Sequence, residues 1–288
     1  MKKYLLIFII CPLLFCCHQG QEPEIPEPEP EEPIEETYQM PCECNKEWYQ
    51  EESSCKWELP WDYPVKSGSE EWYYLGIEER IEACQIPEDI LSSLSSEDLA
   101  GICFKNPHLG AISGNFEGKI DFLFERFNGI RELFQREDAL QAMLKWYRCA
   151  MLKQSEKPIN DPDWDYDRIW LGLNFVNVEV LLSSYQSPDD NKEDYVLIMQ
   201  HLVCGYLFSI WYREIETGSS PVKNFCENIY ARAKILLKID EKNLEKIPDM
   251  EQNMVFIYGQ VEDRNNEETL RVINELSCKY LTSKQINQ

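Results

Sequence analysis

Helical period dominates the chain from Glu78 onward. Apolar residues recur every three or four positions, which places them on one buried face of a 3.6-residue turn. Phe116, Ile120, Leu123, Phe124 and Phe127 form one such face, and Leu140, Met143, Leu144, Tyr147 and Met151 form another. Ile169, Leu173, Val176 and Val180 predict a helix from about Arg168 to Tyr185. Phe225, Ile229, Ala233 and Leu236 predict the next. Leu270, Ile273, Leu276 and Tyr280 predict the last, with Asn265 and Glu268 at its start. The stretch YVLIMQHLVCGYLFSIWY, Tyr195 to Tyr212, is apolar almost all round. Because Gln200, His201 and Gly205 lie inside it, it predicts a central buried helix rather than a bilayer span.

Boundary residues agree with this periodicity. In LSSEDL, Ser95 caps, Asp98 stands three residues later, and Leu94 with Leu99 fits a hydrophobic staple. That helix should stop before Asn106-Pro107, because the residue preceding a proline is pushed out of the helical region. Ser187-Pro188 and Ser220-Pro221 each read as an N-cap followed by proline in the first turn. The total is roughly eight or nine helices, with no strand pattern and no repeat of fixed period. The predicted fold class is all-α, as an irregular multi-helix bundle or a short α/α superhelix.

Before Glu78 the pattern changes. Trp48, Tyr49, Trp57, Trp61, Tyr63, Trp72, Tyr73 and Tyr74 crowd a stretch broken by Pro60, Pro64 and Gly68. It predicts an extended, aromatic-rich lead-in, residues 41–75, laid over the helical body of a domain spanning 41–288.

Further upstream the chain reads as an export and anchoring device. Lys2 and Lys3 precede an apolar run, Tyr4 to Phe15, too short to span a bilayer comfortably. The run ends in Leu14-Phe15-Cys16-Cys17, which resembles a bacterial lipobox; residues 1–16 would be the signal peptide. Cys17 is the better lipidation candidate, since small Cys16 precedes it, whereas bulky Phe15 precedes Cys16. From Cys16 to Glu36 come eight glutamates and five prolines, with no Lys or Arg from Tyr4 to Asn45. Proline favours extended backbone, like charges repel, and little apolar surface is present to offset ordering. Residues 17–40 therefore predict a disordered tether, reaching ~70 Å at ~3.1 Å per residue. An acidic stretch soon after a lipidated cysteine also resembles the surface-export signal of Bacteroidota lipoproteins. The expected location is the cell envelope, lipid-anchored to the outer membrane, on its periplasmic or its outer face.

The charge narrows the partners. With 52 acidic residues against 28 basic, the net charge is −24. Nucleic acid and anionic membrane faces need clustered Lys and Arg, so both are excluded as partners of the domain. In an oxidising compartment, nine cysteines follow Cys17: Cys42, Cys44, Cys55, Cys84, Cys103, Cys149, Cys204, Cys226 and Cys278. The number is odd, so at least one lacks an intramolecular partner. Cys42, Cys44 and Cys55 lie close enough in sequence to bridge and pin the start of the domain. A zinc site there lacks a fourth ligand nearby. Cys204, inside the apolar helix, reads as a small buried hydrophobe.

The stretch RIEACQIPEDILSSLSSEDLAGICFKNPHL, Arg80 to Leu109, and the later FNGIRELFQREDAL, Phe127 to Leu140, resemble uncharacterised lipoproteins of gut Bacteroidota. The shared elements are Ile86-Pro87-Glu88 with Ile90-Leu91, Ser95 to Leu99, Phe127-Asn128-Gly129, Arg136 and Asp138-Ala139. The resemblance implies origin, export and a helical fold, and it brings no catalytic residues.

Candidate chemistry is sparse. His18 falls in the tether and His201 in the apolar helix, leaving His108. No nucleophile elbow, zinc-protease helix, phosphate loop or dinucleotide fingerprint occurs. Asp163, Asp165 and Asp167, within DPDWDYDRIW, alternate as Ca²⁺ ligands can, but Arg168 and Asn174 break the EF-hand pattern. As an acidic loop before a helix, the same residues also suit the helix dipole. Trp48, Trp57, Trp61 and Trp72 offer faces on which sugars could stack, or would clamp the lead-in to the body. The leading expectation is a non-enzymatic binding or scaffolding domain needing no cofactor, its partner an unidentified protein or glycan. The alternatives are a glycan-binding module using these aromatics and a carboxylate-dependent glycoside hydrolase, which needs two acids across a cleft.

Overall fold

Ser95 opens a helix as its sequence requires: its Oγ accepts the Asp98 N–H at 3.1 Å, and the helix runs Ser96–Phe104 before Lys105 ends it. Leu94 and Leu99 are both buried in the core. The computed structural model describes residues 42–44, 48, 55, 58–109, 116–154, 178–217, 226–247 and 264–282. Residues 39–288 form one compact unit. Among the described residues the architecture is all-α, with no strand.

In chain order the helices are α1 (Glu70–Tyr74), α2 (Ile77–Ala83), α3 (Glu88–Leu91), α4 (Ser96–Phe104), α5 (Phe116–Arg126), α6 (Asn128–Gln135) and α7 (Ala139–Gln154). Residues 178–183 are helical and are labelled α8. There follow α9 (Lys192–Thr217), α10 (Cys226–Ile239), a 3₁₀ turn (Glu241–Lys246) and α11 (Arg264–Thr282). One group packs α4 against α6 and α7, with α5 on α6; α7 then meets α9, which is flanked by α10 and α11. Ile198, Met199, Leu202 and Val203 on α9 are fully enclosed, so the apolar helix is central, as its composition requires. Among the described residues no helix is long and apolar enough to cross a membrane.

Two local expectations need correction. The stretch to Leu75 is not extended throughout: Gly68 adopts φ 82°, and Ser69 then caps α1, its Oγ accepting the Trp72 N–H. Ser187 does not cap α9. A turn follows it, with Asp190 at φ 50°, and α9 starts at Lys192. Ser187 Oγ instead donates to Asp194 Oδ2 at 2.6 Å and accepts from the Asn191 N–H. Asn191 accepts the Glu193 N–H and does the capping. Asn265 is the second described residue of α11, which runs from Arg264. Glu268 accepts from Arg271 Nε at 2.8 Å.

The residues behind the lipoprotein resemblance meet at one joint. Asn128 starts α6, and its side chain brackets Ile86, accepting from the Ile86 N–H at 3.0 Å and donating to the Ile86 carbonyl at 2.7 Å. Gly129 must stay small, since a Cβ there would lie 2.5 Å from Ile86 Cδ1. Arg136 donates to the carbonyls of Leu94 and Leu91 at 2.8 and 3.3 Å. Ser96 Oγ donates to Asp138 Oδ1. These side chains answer backbone groups left open around the short helix α3, and their role is to hold the joint together.

Candidate functional site

The three cysteines of the lead-in do not bond one another. Cys42 pairs with Cys278 on α11, Cys44 with Cys204 on α9, and Cys55 with Cys149 on α7. The expected local bridge is thereby corrected, and Cys204 is a cross-link rather than a free hydrophobe. The cysteines considered for zinc carry no open thiolate. Sequence proximity suggested a local bridge, but each of these cysteines is bonded to a different helix. Cys84 and Cys103 are free and buried. Burial pushes the Cys84 thiol up to about 12 and the Cys103 thiol higher still.

The tryptophans divide by environment. Trp72 is 8% exposed, with the His108 ring edge-on at 5.0 Å and the Arg80 guanidinium 5.1 Å from its centroid. It is a core residue and offers no face to a sugar. Trp61 is half-buried and stands edge-on to Tyr63 at 4.8 Å. Trp48 is half-buried near His201, centroids 6.2 Å apart, and its carbonyl accepts from Arg148 Nε at 3.0 Å. Both pack against the core and clamp the lead-in to the body. Trp57, Cys17 and the triad Asp163, Asp165 and Asp167 lie outside the described residues. Among the described residues no group of three or more His, Cys, Asp or Glu could hold a metal.

Neither described histidine is poised as a neutral-pH base. His201 is half-buried, with Nδ1 3.0 Å from the Leu197 carbonyl one turn back. Burial lowers its pKa to about 4, and the nearby Arg148 charge acts the same way. His108 is enclosed by Trp72, Phe122 and Phe127, and burial lowers its pKa too.

The interior holds one polar set that periodicity did not reveal. Tyr147 donates to Glu179 Oε1 at 2.5 Å, and both are buried. Burial first, and then the carboxylate, raise the tyrosine pKa. Arg232 on α10 is fully enclosed. It donates to Asn274 Oδ1 at 2.8 Å and stacks 4.5 Å from the Tyr206 ring centroid. Glu179 is the one buried carboxylate among the described residues. It accepts from the Tyr147 hydroxyl, and no other acid among the described residues is buried with it. Tyr147 ties α7 to α8 and Arg232 ties α10 to α11; each group is costly to bury alone and acceptable when partnered.

Sequence reasoning also missed a surface feature. Tyr73, Tyr74 and Ile77 are 68, 80 and 57% exposed, and they are the large exposed hydrophobics among the described residues. The helix that turns Trp72 inward turns its next neighbours outward. Comparison of the chain with protein-family models, with curated proteins and with solved structures gave no match.

Proposed function

We propose that the chain is a cell-envelope lipoprotein, tethered through Cys17, whose helical domain binds a partner at the membrane surface rather than catalysing a reaction. The observation that carries this is the triple cross-linking of the lead-in to α7, α9 and α11. Disulfides of this number belong to an oxidising compartment, which supports export. Their placement also suits a tethered protein. Any pull through residues 17–40 enters the domain at its N-terminal edge, where an uncrosslinked strap would peel away from the helices. Each bond closes a long loop, with separations of 236, 160 and 94 residues. In the chain-entropy picture, a single bond closing a loop of this size stabilises by about 4–5 kcal/mol. The placement of the histidines, one with a pKa near 4, favours binding over catalysis.

The test is metabolic labelling with an alkyne-bearing fatty acid, followed by cell fractionation. The chain should carry label and partition with outer membranes, and Cys17→Ala should lose both properties. Loss of label in Cys16→Ala but not Cys17→Ala would move the anchor by one residue. An unlabelled, soluble chain would overturn the tether. Protease shaving of intact cells separates the outer face from the periplasmic one.

A further inference from the structure

We infer that the exposed face of α1 and α2 docks a segment of a partner protein that is both basic and apolar; this deepens the binding reading above and rests on it. Tyr73, Tyr74 and Ile77 bracket the break between the two helices. They are the large exposed hydrophobics among the described residues and lie within five positions of one another; exposed apolar surface grouped in this way often marks an interaction site.

The surroundings select the occupant. From Ser69 to Ala83 there are five acids, Glu70, Glu71, Glu78, Glu79 and Glu82, against the single base Arg80. Arg80 is tied down: its Nε donates to the Trp72 carbonyl at 2.9 Å and its guanidinium lies over the Trp72 ring. Glu78 pairs with Arg126, and Glu79 accepts the Gly76 N–H at 2.7 Å. Glu70, Glu71 and Glu82 are exposed and make no ion pair among the described residues. The aromatic island therefore sits in a rim with unspent negative charge.

That rim excludes three occupants. A second copy docking through the same face would set acid against acid. The chain's own Glu-rich tether has no Lys or Arg from Tyr4 to Asn45 and is repelled likewise. An anionic lipid surface meets the same field. A neutral sugar could stack on the tyrosines but leaves the rim's charge unanswered. A segment with apolar side chains flanked by Lys or Arg satisfies both parts, with rim charges steering its approach.

The test titrates the full chain, held in zwitterionic phosphatidylcholine nanodiscs, with three short synthetic peptides. The first is an amphipathic Lys/Leu peptide, the second its Glu/Leu counterpart and the third a Lys/Ser peptide; empty nanodiscs serve as the blank. The Lys/Leu peptide should bind at least about tenfold more tightly than either control. Tyr73→Ser/Tyr74→Ser should cost about tenfold or more in affinity. Glu70→Gln/Glu71→Gln/Glu82→Gln should weaken binding and flatten its dependence on salt. All these side chains are exposed, so unchanged thermal unfolding of the variants checks folding. Unchanged affinity in the tyrosine variant would overturn the proposal, leaving only bulk charge attraction. Equal binding of the Glu/Leu peptide would overturn it as well. So would a neutral oligosaccharide displacing the peptide through the same tyrosines, which would make this a glycan face. Should the fatty-acid labelling fail, the same titrations are run on the full chain free in buffer, so the two readings fail separately.

Discussion

Asn128 holds the backbone of Ile86 from both sides, Oδ1 accepting its N–H at 3.0 Å and Nδ2 donating to its carbonyl at 2.7 Å. The two residues are 42 positions apart in the chain, so one side chain locks the end of α2 to the start of α6. Ile86 is 2% exposed, and water cannot easily replace the amide. Asn128→Ala should cost about 1–3 kcal/mol, because two part-buried backbone groups lose their partner. Urea unfolding checks this: the midpoint should fall with the slope unchanged. Asn128→Asp keeps the acceptor only and should recover part of the loss.

How much of this was readable in advance depends on the range of the interaction. Ser95 and its helix were legible because cap, staple and stop lie within a dozen residues. The central position of α9 was legible from composition alone. The Asn128 contact was visible only as part of a resemblance, with no reason attached, since its partner is remote in sequence. Cysteine pairing was illegible for the same cause: the local spacing of Cys42, Cys44 and Cys55 carries no information about α7, α9 or α11. Ser187 misled because Ser-Pro followed by an apolar run is a valid helix start. Tertiary contacts with Asp194 and Tyr195 turned it into a loop closure instead.

Peptide mapping without reductant should recover three cross-linked pairs, Cys42 with Cys278, Cys44 with Cys204 and Cys55 with Cys149. Cys84 and Cys103 should resist alkylation in the native protein and react once it unfolds, because burial suppresses both thiolates. A peptide joining any two of Cys42, Cys44 and Cys55 would contradict the pairing. Rapid native alkylation of Cys103 would contradict its burial.

Gly205 lies on α9 where Tyr147 of α7 crosses it. A Cβ there would overlap the Tyr147 hydroxyl, with the ring carbon Cζ next at 2.9 Å. The phenol cannot withdraw freely, since it donates to buried Glu179. Gly205→Ala should therefore destabilise by about 3 kcal/mol or more. The penalty should shrink in a Tyr147→Phe background, where the overlapping oxygen is gone, and a double-mutant cycle reads that coupling directly. Independent, additive effects would show that the two helices do not approach this closely.

His201 provides a pH test with a definite sign. Its folded pKa is about 4 against an ordinary 6.5, burial being the main cause. The unfolded chain thus binds the proton more readily between those values. Stability from the neutral imidazole is fully present above pH 6.5 and is lost as pH falls toward 4, by up to about 3 kcal/mol. Carboxylates and the buried His108 also respond to acid, so the wild-type curve alone does not isolate the effect. The difference between wild type and His201→Gln does, because the other groups cancel. Measured by urea unfolding from pH 7.5 to 4.5, that difference should move in favour of the variant as acid is added, beginning near pH 6.5. A pH-independent difference would mean that His201 keeps an ordinary pKa beside Trp48, and that solvent reaches its ring as the body opens around the Cys44–Cys204 cross-link.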